Sequence, residues 1–128
     1  MSTPLPQPHR HEIDLSDVFS ALADPLRRTA IAALAALPEG IERNCASFGF
    51  PVPKASLTHH FKVLREAGLL QQVDLGNRKM SMLRRADIDQ RFPGLLDALV
   101  RDFRCGVDRH SIYANVFYTT VEAIPEGA

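Results

Sequence analysis

Between residues 54 and 68 the apolar positions recur at helical spacing. Leu57, Phe61, Leu64 and the Ala67/Gly68 pair share one helix face. The opposite face carries Lys54, Ser56, Thr58, His59, Lys62 and Arg65, and Gly68 stops the helix. The period then shortens. Leu70 to Leu75 and Lys79 to Leu83 flank Gly76-Asn77-Arg78, a tight-turn signal, and so predict a hairpin. Upstream, Leu15, Val18, Phe19 and Leu22 stripe a first helix over 15–23. Asp24-Pro25 opens a second, because the carboxylate can cap and proline suits a first turn. Leu26, Ala30, Ala33, Leu34 and Leu37 form its apolar face, and Pro38-Glu39-Gly40 ends it.

Ile41, Cys45 and Phe48 predict a short third helix over 41–48, closed by Gly49. Pro51-Val52-Pro53 makes a stiff turn into the polar-faced helix. After the hairpin, the acidic pair Asp87 and Asp89 reads as a cap for a short helix. Phe92-Pro93 interrupts it, with Pro93 placed to begin a longer helix carrying Leu95, Leu96, Leu99, Val100 and Phe103. That face is broad for a terminal helix in a small domain, which favours pairing with a second subunit. Residues 1–12, with prolines at 4, 6 and 8, are expected to form a flexible arm. In 105–128, Tyr113, Val116, Phe117 and Thr120 fit helical spacing while the composition favours a strand, and the two readings stay open. The expected fold class is mainly α with a small β-hairpin, in one domain over 13–104.

Composition narrows the function. At 128 residues the chain is one domain, and 45% hydrophobic with 23% charged residues is usual for a soluble globular protein. No apolar run approaches the ~20 residues of a membrane span and no secretory leader opens the chain, so a cytoplasmic protein is expected. The net charge is zero but unevenly spread. Residues 53–85 hold seven basic residues (Lys54, Lys62, Arg65, Arg78, Lys79, Arg84, Arg85) against Glu66 and Asp74, a local +5. A short polar helix followed by a basic hairpin suits duplex DNA. Lys54, Lys62, Arg65, Arg78 and Lys79 can neutralise phosphates. Ser56, Thr58 and His59 are short enough to reach base edges, with Lys54 as a possible guanine contact. Asn77 and Arg78 are placed to enter a minor groove. His60, between the two faces, is expected to pack.

The run SLTHHFKVLREAGLL, with the glycine and basic hairpin after it, resembles the winged helix-turn-helix core of the ArsR family of bacterial repressors. The upstream VFSALADPLRRTAIAALA looks like that family's first two helices, Asp-Pro start included, so the resemblance spans roughly 13–104. It implies a homodimer paired through the first and last helices, binding double-stranded DNA at an inverted repeat and released by a ligand or chemical signal. One departure stands out: Pro53 occupies the place where the family often carries a polar capping residue.

The resemblance leaves the signal open. Family members that sense metals use a cysteine pair in the third helix, or Asp/His/Glu ligands on the last. Here the third helix offers only Cys45, and 86–104 contain no histidine. No metal or cofactor is expected, although His9, His11, Cys45, Cys105 and His110 could assemble an atypical site between subunits. Cys45 and Cys105 are candidates for a thiol switch, as in members with two cysteines and no metal motif. A small organic inducer is a further alternative, as is a winged-helix protein-interaction module without DNA binding. No Gly-rich phosphate loop or nucleophile elbow accompanies the cysteines and histidines, so no enzyme is expected.

Overall fold

A computed structural model of the chain describes residues 3–104 together with 113, 116, 117 and 120. Among the described residues, five α-helices and a four-stranded antiparallel sheet make up residues 3–104, a layout compatible with a winged helix. Asp14 caps α1 (Leu15–Ala23) through the Ser16 amide, and Asp24 caps α2 (Pro25–Ala36) through the Arg27 amide. At the corner between them, Arg27 donates to the Ala21 carbonyl and Arg28 to those of Leu22 and Ala23. The carbonyls orphaned at the end of α1 therefore find donors. Arg85 does the same for α2, reaching the Leu34, Ala35 and Leu37 carbonyls.

The segment expected as a third helix is a strand, β2 (Glu42–Asn44), followed by a 3-10 turn, Cys45–Phe48. Ile41, Cys45, Ala46 and Phe48 could line a helix face, but eight residues are too few to hold a helix by themselves. The outer edge of the hairpin instead offers a ladder that pairs Glu42, Arg43 and Asn44 with Met82, Ser81 and Met80. Asn44 then caps the turn through the Ala46 amide.

α3 (Lys54–Glu66) leads into the wing strands β3 (Leu70–Asp74) and β4 (Lys79–Leu83), paired from Leu70↔Leu83 to Asp74↔Lys79. The small hairpin expected from the sequence is thus the centre of a larger sheet, ordered β1-β3-β4-β2. Its fourth strand, β1 (Thr3–Pro4), comes from the proline-rich arm and pairs with Asp74 and Val73. The arm expected to be flexible lies along the domain. Leu5 donates to the Gln72 carbonyl at 3.0 Å, and the Pro6 and Pro8 carbonyls accept from Arg65 and Arg84. Its prolines are tolerated because β1 is an edge strand that need not donate at every position.

α4 (Arg85–Arg91) starts two residues before Asp87, so that carboxylate sits in the first turn instead of capping. It accepts from Arg84 at 2.9 Å and from Arg10 of the arm at 2.6 Å. The Arg10 and Arg84 guanidinium groups hold its carboxyl below the usual carboxylate range against the opposing effect of burial. Pro93 does not begin the last helix. α5 (Leu95–Arg104) starts after Gly94, whose φ of +90° turns the chain.

The core lies between the helices and one face of the sheet. Ile13, Val18, Leu26, Ile31, Phe61, Leu64, Leu69, Leu70 and Ile88 are fully buried there. Phe103 closes one end, stacked on Phe117 at 4.9 Å. Val116, Phe117 and Thr120 are helical, the alternative their spacing allowed, and Tyr113 meets Phe50 edge-on at 5.5 Å.

Candidate nucleic-acid interface

α3 is built to be seen from one side only. Phe61 and Leu64 sink into the core, and Leu57 and Val63 pack at its margin. Ala55, Thr58, His59, Lys62 and Glu66 are exposed, a stripe at helical spacing. Lys54 is exposed at its N-terminus, while Ser56 is half-buried beside Leu57. Pro53 stands at the cap without a side-chain hydrogen bond, so the first-turn amides have no capping side chain. Lys62 approaches Glu66 at 3.7 Å, an exposed i,i+4 pair that water largely screens.

The wing brings a second set of cations alongside. Asp74 accepts from the Gly76 amide at 2.8 Å, and Leu75 donates to the Arg78 carbonyl at 2.9 Å. These bonds fix a tip at Gly76-Asn77, where Gly76 takes a φ of +91° as a two-residue hairpin turn requires. Asn77 and Arg78 are exposed and Lys79 is half-exposed. α3 and the wing face each other across an open groove of about 750 Å³. Lys54, Thr58, Lys62, Asn77, Arg78 and Lys79 all line it.

Three of the seven basic residues in 53–85 are engaged by acceptors of the protein itself, Arg65 among them although it lines the groove. Arg85 caps α2, and Arg84 is buried between Asp87 and the arm. Arg65, expected at the phosphate-facing surface, is buried: its Nε donates to Pro6 O at 3.0 Å and its Nη1 to Gln72 Oε1 at 2.8 Å. The chain of contacts continues from Gln72 Nε2 to Ser81 Oγ at 2.9 Å and to Cys45 Sγ at 3.5 Å. Arg65 is therefore a positioning residue that ties α3, the wing and the arm together. Sequence reasoning missed Gln72, although a polar residue at an inward, alternating position of a strand is a visible sign of such a network.

His60 packs as expected. Arg27 donates to its Nδ1 at 3.0 Å, and Asp24 lies 3.8 Å from the same nitrogen. Burial lowers its pKa; Asp24 opposes this, and Arg27 and His59 add to the depression. An unfolded chain, with its histidine near 6.5, takes up the proton first as pH falls. The His60 contribution is therefore present above about pH 6.5 and is lost as pH drops through the folded value. Urea titrations should show His60→Gln destabilising at pH 7.5, with the gap to wild type narrowing at pH 5.5. A gap that widened in acid would contradict this assignment.

Cys45 sits at the floor of the groove, its thiol 3.5 Å from Ser81 Oγ. Burial pushes the thiol above its ordinary range, outweighing the hydrogen bonds and Lys79 that pull it down. A thiol held protonated is a poor nucleophile, which weighs against Cys45 as an oxidant sensor. Its proposed partner Cys105 lies outside the described residues, as does His110. Among the described residues no group of three or more His, Cys, Asp or Glu could hold a metal ion, and His9 and His11 stack on each other at 5.8 Å. No helix among them is long and apolar enough to cross a membrane.

Comparison of the sequence with protein-family models finds no match, and comparison with curated proteins finds no significant one.

Proposed function

We propose that this chain is a sequence-specific DNA-binding transcriptional regulator of the winged helix-turn-helix, ArsR-like kind. One observation carries the reading. Lys54, Thr58 and Lys62 of α3 and the wing cations Arg78 and Lys79 border a single groove, and His59 is exposed beside Thr58 on the same helix. Thr58 and His59 read base edges from the major groove, while Lys54, Lys62 and Lys79 hold phosphates. Arg78 and Asn77 follow the adjacent minor groove. With Arg65, Arg84 and Arg85 engaged by acceptors of the protein itself, four cations per chain serve the duplex. A second copy is then needed to reach useful affinity, because each phosphate contact adds only one released counterion.

The homodimer of the proposal pairs through α1 and α5. Phe19 is 56% exposed and Leu15 40% exposed one turn away, the only large hydrophobic side chains so exposed among the described residues. Two α3 helices about one DNA turn apart bind an imperfect inverted repeat and act as a repressor, relieved by a ligand or chemical signal.

Fluorescence anisotropy with duplex DNA from upstream of the protein's own coding region tests this at several salt concentrations. Arg78→Ala is expected to weaken binding to all sequences and to reduce the salt slope by about one for each phosphate it no longer neutralises. His59→Ala should cost about 1–3 kcal/mol on the preferred site and little on random sequence. Unchanged affinity in both variants, or a monomer at the concentrations that bind DNA, would defeat the reading.

A further inference from the structure

The groove between α3 and the wing has two chemistries, and a DNA duplex can use only one of them. The rim is cationic: Lys54 and Lys62 on the helix face Arg78 and Lys79 on the wing. Below it lie Phe50 and Val52 from the loop before α3 and Leu57 and Phe61 from the helix, an apolar floor beside Arg65 and Gln72, which are bonded to each other. A duplex is a stiff rod whose phosphates meet the rim, but it cannot descend to that floor. The volume of about 750 Å³ falls in the range of small-molecule sites.

Charge selects the occupant. Among the described residues, Asp74 is the one carboxylate in the lining, and it is already engaged with the Gly76 amide at 2.8 Å. Among those same residues, Lys54, Arg78 and Lys79 have no carboxylate within ion-pair distance. A neutral hydrophobe would leave those cations unanswered, and inorganic phosphate would leave the apolar floor wet.

We propose that this groove is a binding site for a small amphipathic organic anion, an aromatic carboxylate in the simplest case. The ring lies against Phe50, Val52 and Leu57, and the carboxylate bridges to Lys79 and Arg78. These are the cations assigned above to DNA, so the anion and the duplex exclude one another. That regulatory consequence rests on the DNA-binding reading; the binding of the anion does not.

Isothermal titration of the full-length protein with 2-naphthoate tests the site directly. The expected result is one site per chain, with 2-naphthalenemethanol, which keeps the ring and lacks the charge, at least about tenfold weaker. Inorganic phosphate should not displace naphthoate at equal concentration. The double variant R78E/K79E should weaken naphthoate about tenfold or more, and K54E, at the far rim, less. Both variants are checked for a wild-type circular dichroism spectrum, and either one suffices for the test. No naphthoate binding at millimolar concentration, equal binding of the alcohol, or an isotherm indifferent to both variants overturns the proposal. Adding naphthoate at ten times its Kd to the anisotropy assay should lower apparent DNA affinity about tenfold if binding is mutually exclusive. A protein that binds naphthoate and no DNA would sink only the function proposed earlier, since the calorimetry stands without it.

Discussion

Gly68→Ala is expected to lower the stability of the domain by about 2–4 kcal/mol, a midpoint shift of order 10 °C in thermal unfolding. Two effects act at one position. Gly68 ends α3 with a φ of +91°, a region where a side chain is strained. Its amide donates to Arg65 O and that of Leu69 to Leu64 O, both at 3.0 Å, the paired bonds of a Schellman end. A Cβ added there would also lie 2.6 Å from Ile13 Cγ1 and 2.9 Å from its Cδ1. Ile13 is 1% exposed and cannot swing away into solvent. Urea unfolding followed by far-ultraviolet circular dichroism reads the loss, and I13A offers a check. Removing the isoleucine side chain relieves the clash, so G68A should cost less in that background. A change below about 0.5 kcal/mol in the single variant would mean that the α3–wing junction can yield at Ile13.

Arg65→Ala is the second large effect. Among the described residues its guanidinium reaches only neutral acceptors, the Pro6 carbonyl and Gln72 Oε1, and both lose their donor when it is truncated. Pro6 is exposed and can take water, whereas Gln72 is 3% exposed and its amide oxygen is left without its partner. The expected cost is about 1–3 kcal/mol, the penalty of leaving a buried polar group unsatisfied. The distinguishing sign is local. The arm should detach first, so hydrogen exchange at the Leu5 amide, bonded to Gln72 O, should accelerate more than exchange at core amides such as Leu64. DNA affinity should fall less than in R78A, because Arg65 lines the groove but already donates to Pro6 and Gln72, whereas Arg78 is exposed at the wing tip. Uniform acceleration across the domain would mean that Arg65 supports the core at large.

Charge counting is least informative at these inward-turned arginines. A local +5 over 53–85 is legible in the sequence, yet Arg65, Arg84 and Arg85 meet carbonyls at residues 6, 8 and 34 to 37. Nothing local distinguishes such an arginine from Lys62, since a guanidinium is suited both to phosphate and to a row of carbonyls. His60 is legible because its position between two helix faces is a property of spacing alone. Cys45 stands out in the sequence as a chemistry-bearing residue, but its protonated state follows from burial that no spacing reports.

The helices α1, α2, α3 and α5 and the wing hairpin follow from the sequence because each is a local contest. Periodicity decides which face is buried, and Asp24 and Gly68 mark ends within a few residues. Tertiary structure alone decided the sheet's outer strands and the arm. Two or three residues carry no period, and β1 and β2 exist only because β3 and β4 present unpaired edges to them. Tertiary structure also made the groove: its apolar floor comes from the loop before α3 and from α3 itself, and its cations from α3 and the wing, which a single turn at Gly68 joins. A surface assembled from separated segments has no signature in any one of them, because the free energy that brings them together lies in the contacts between them.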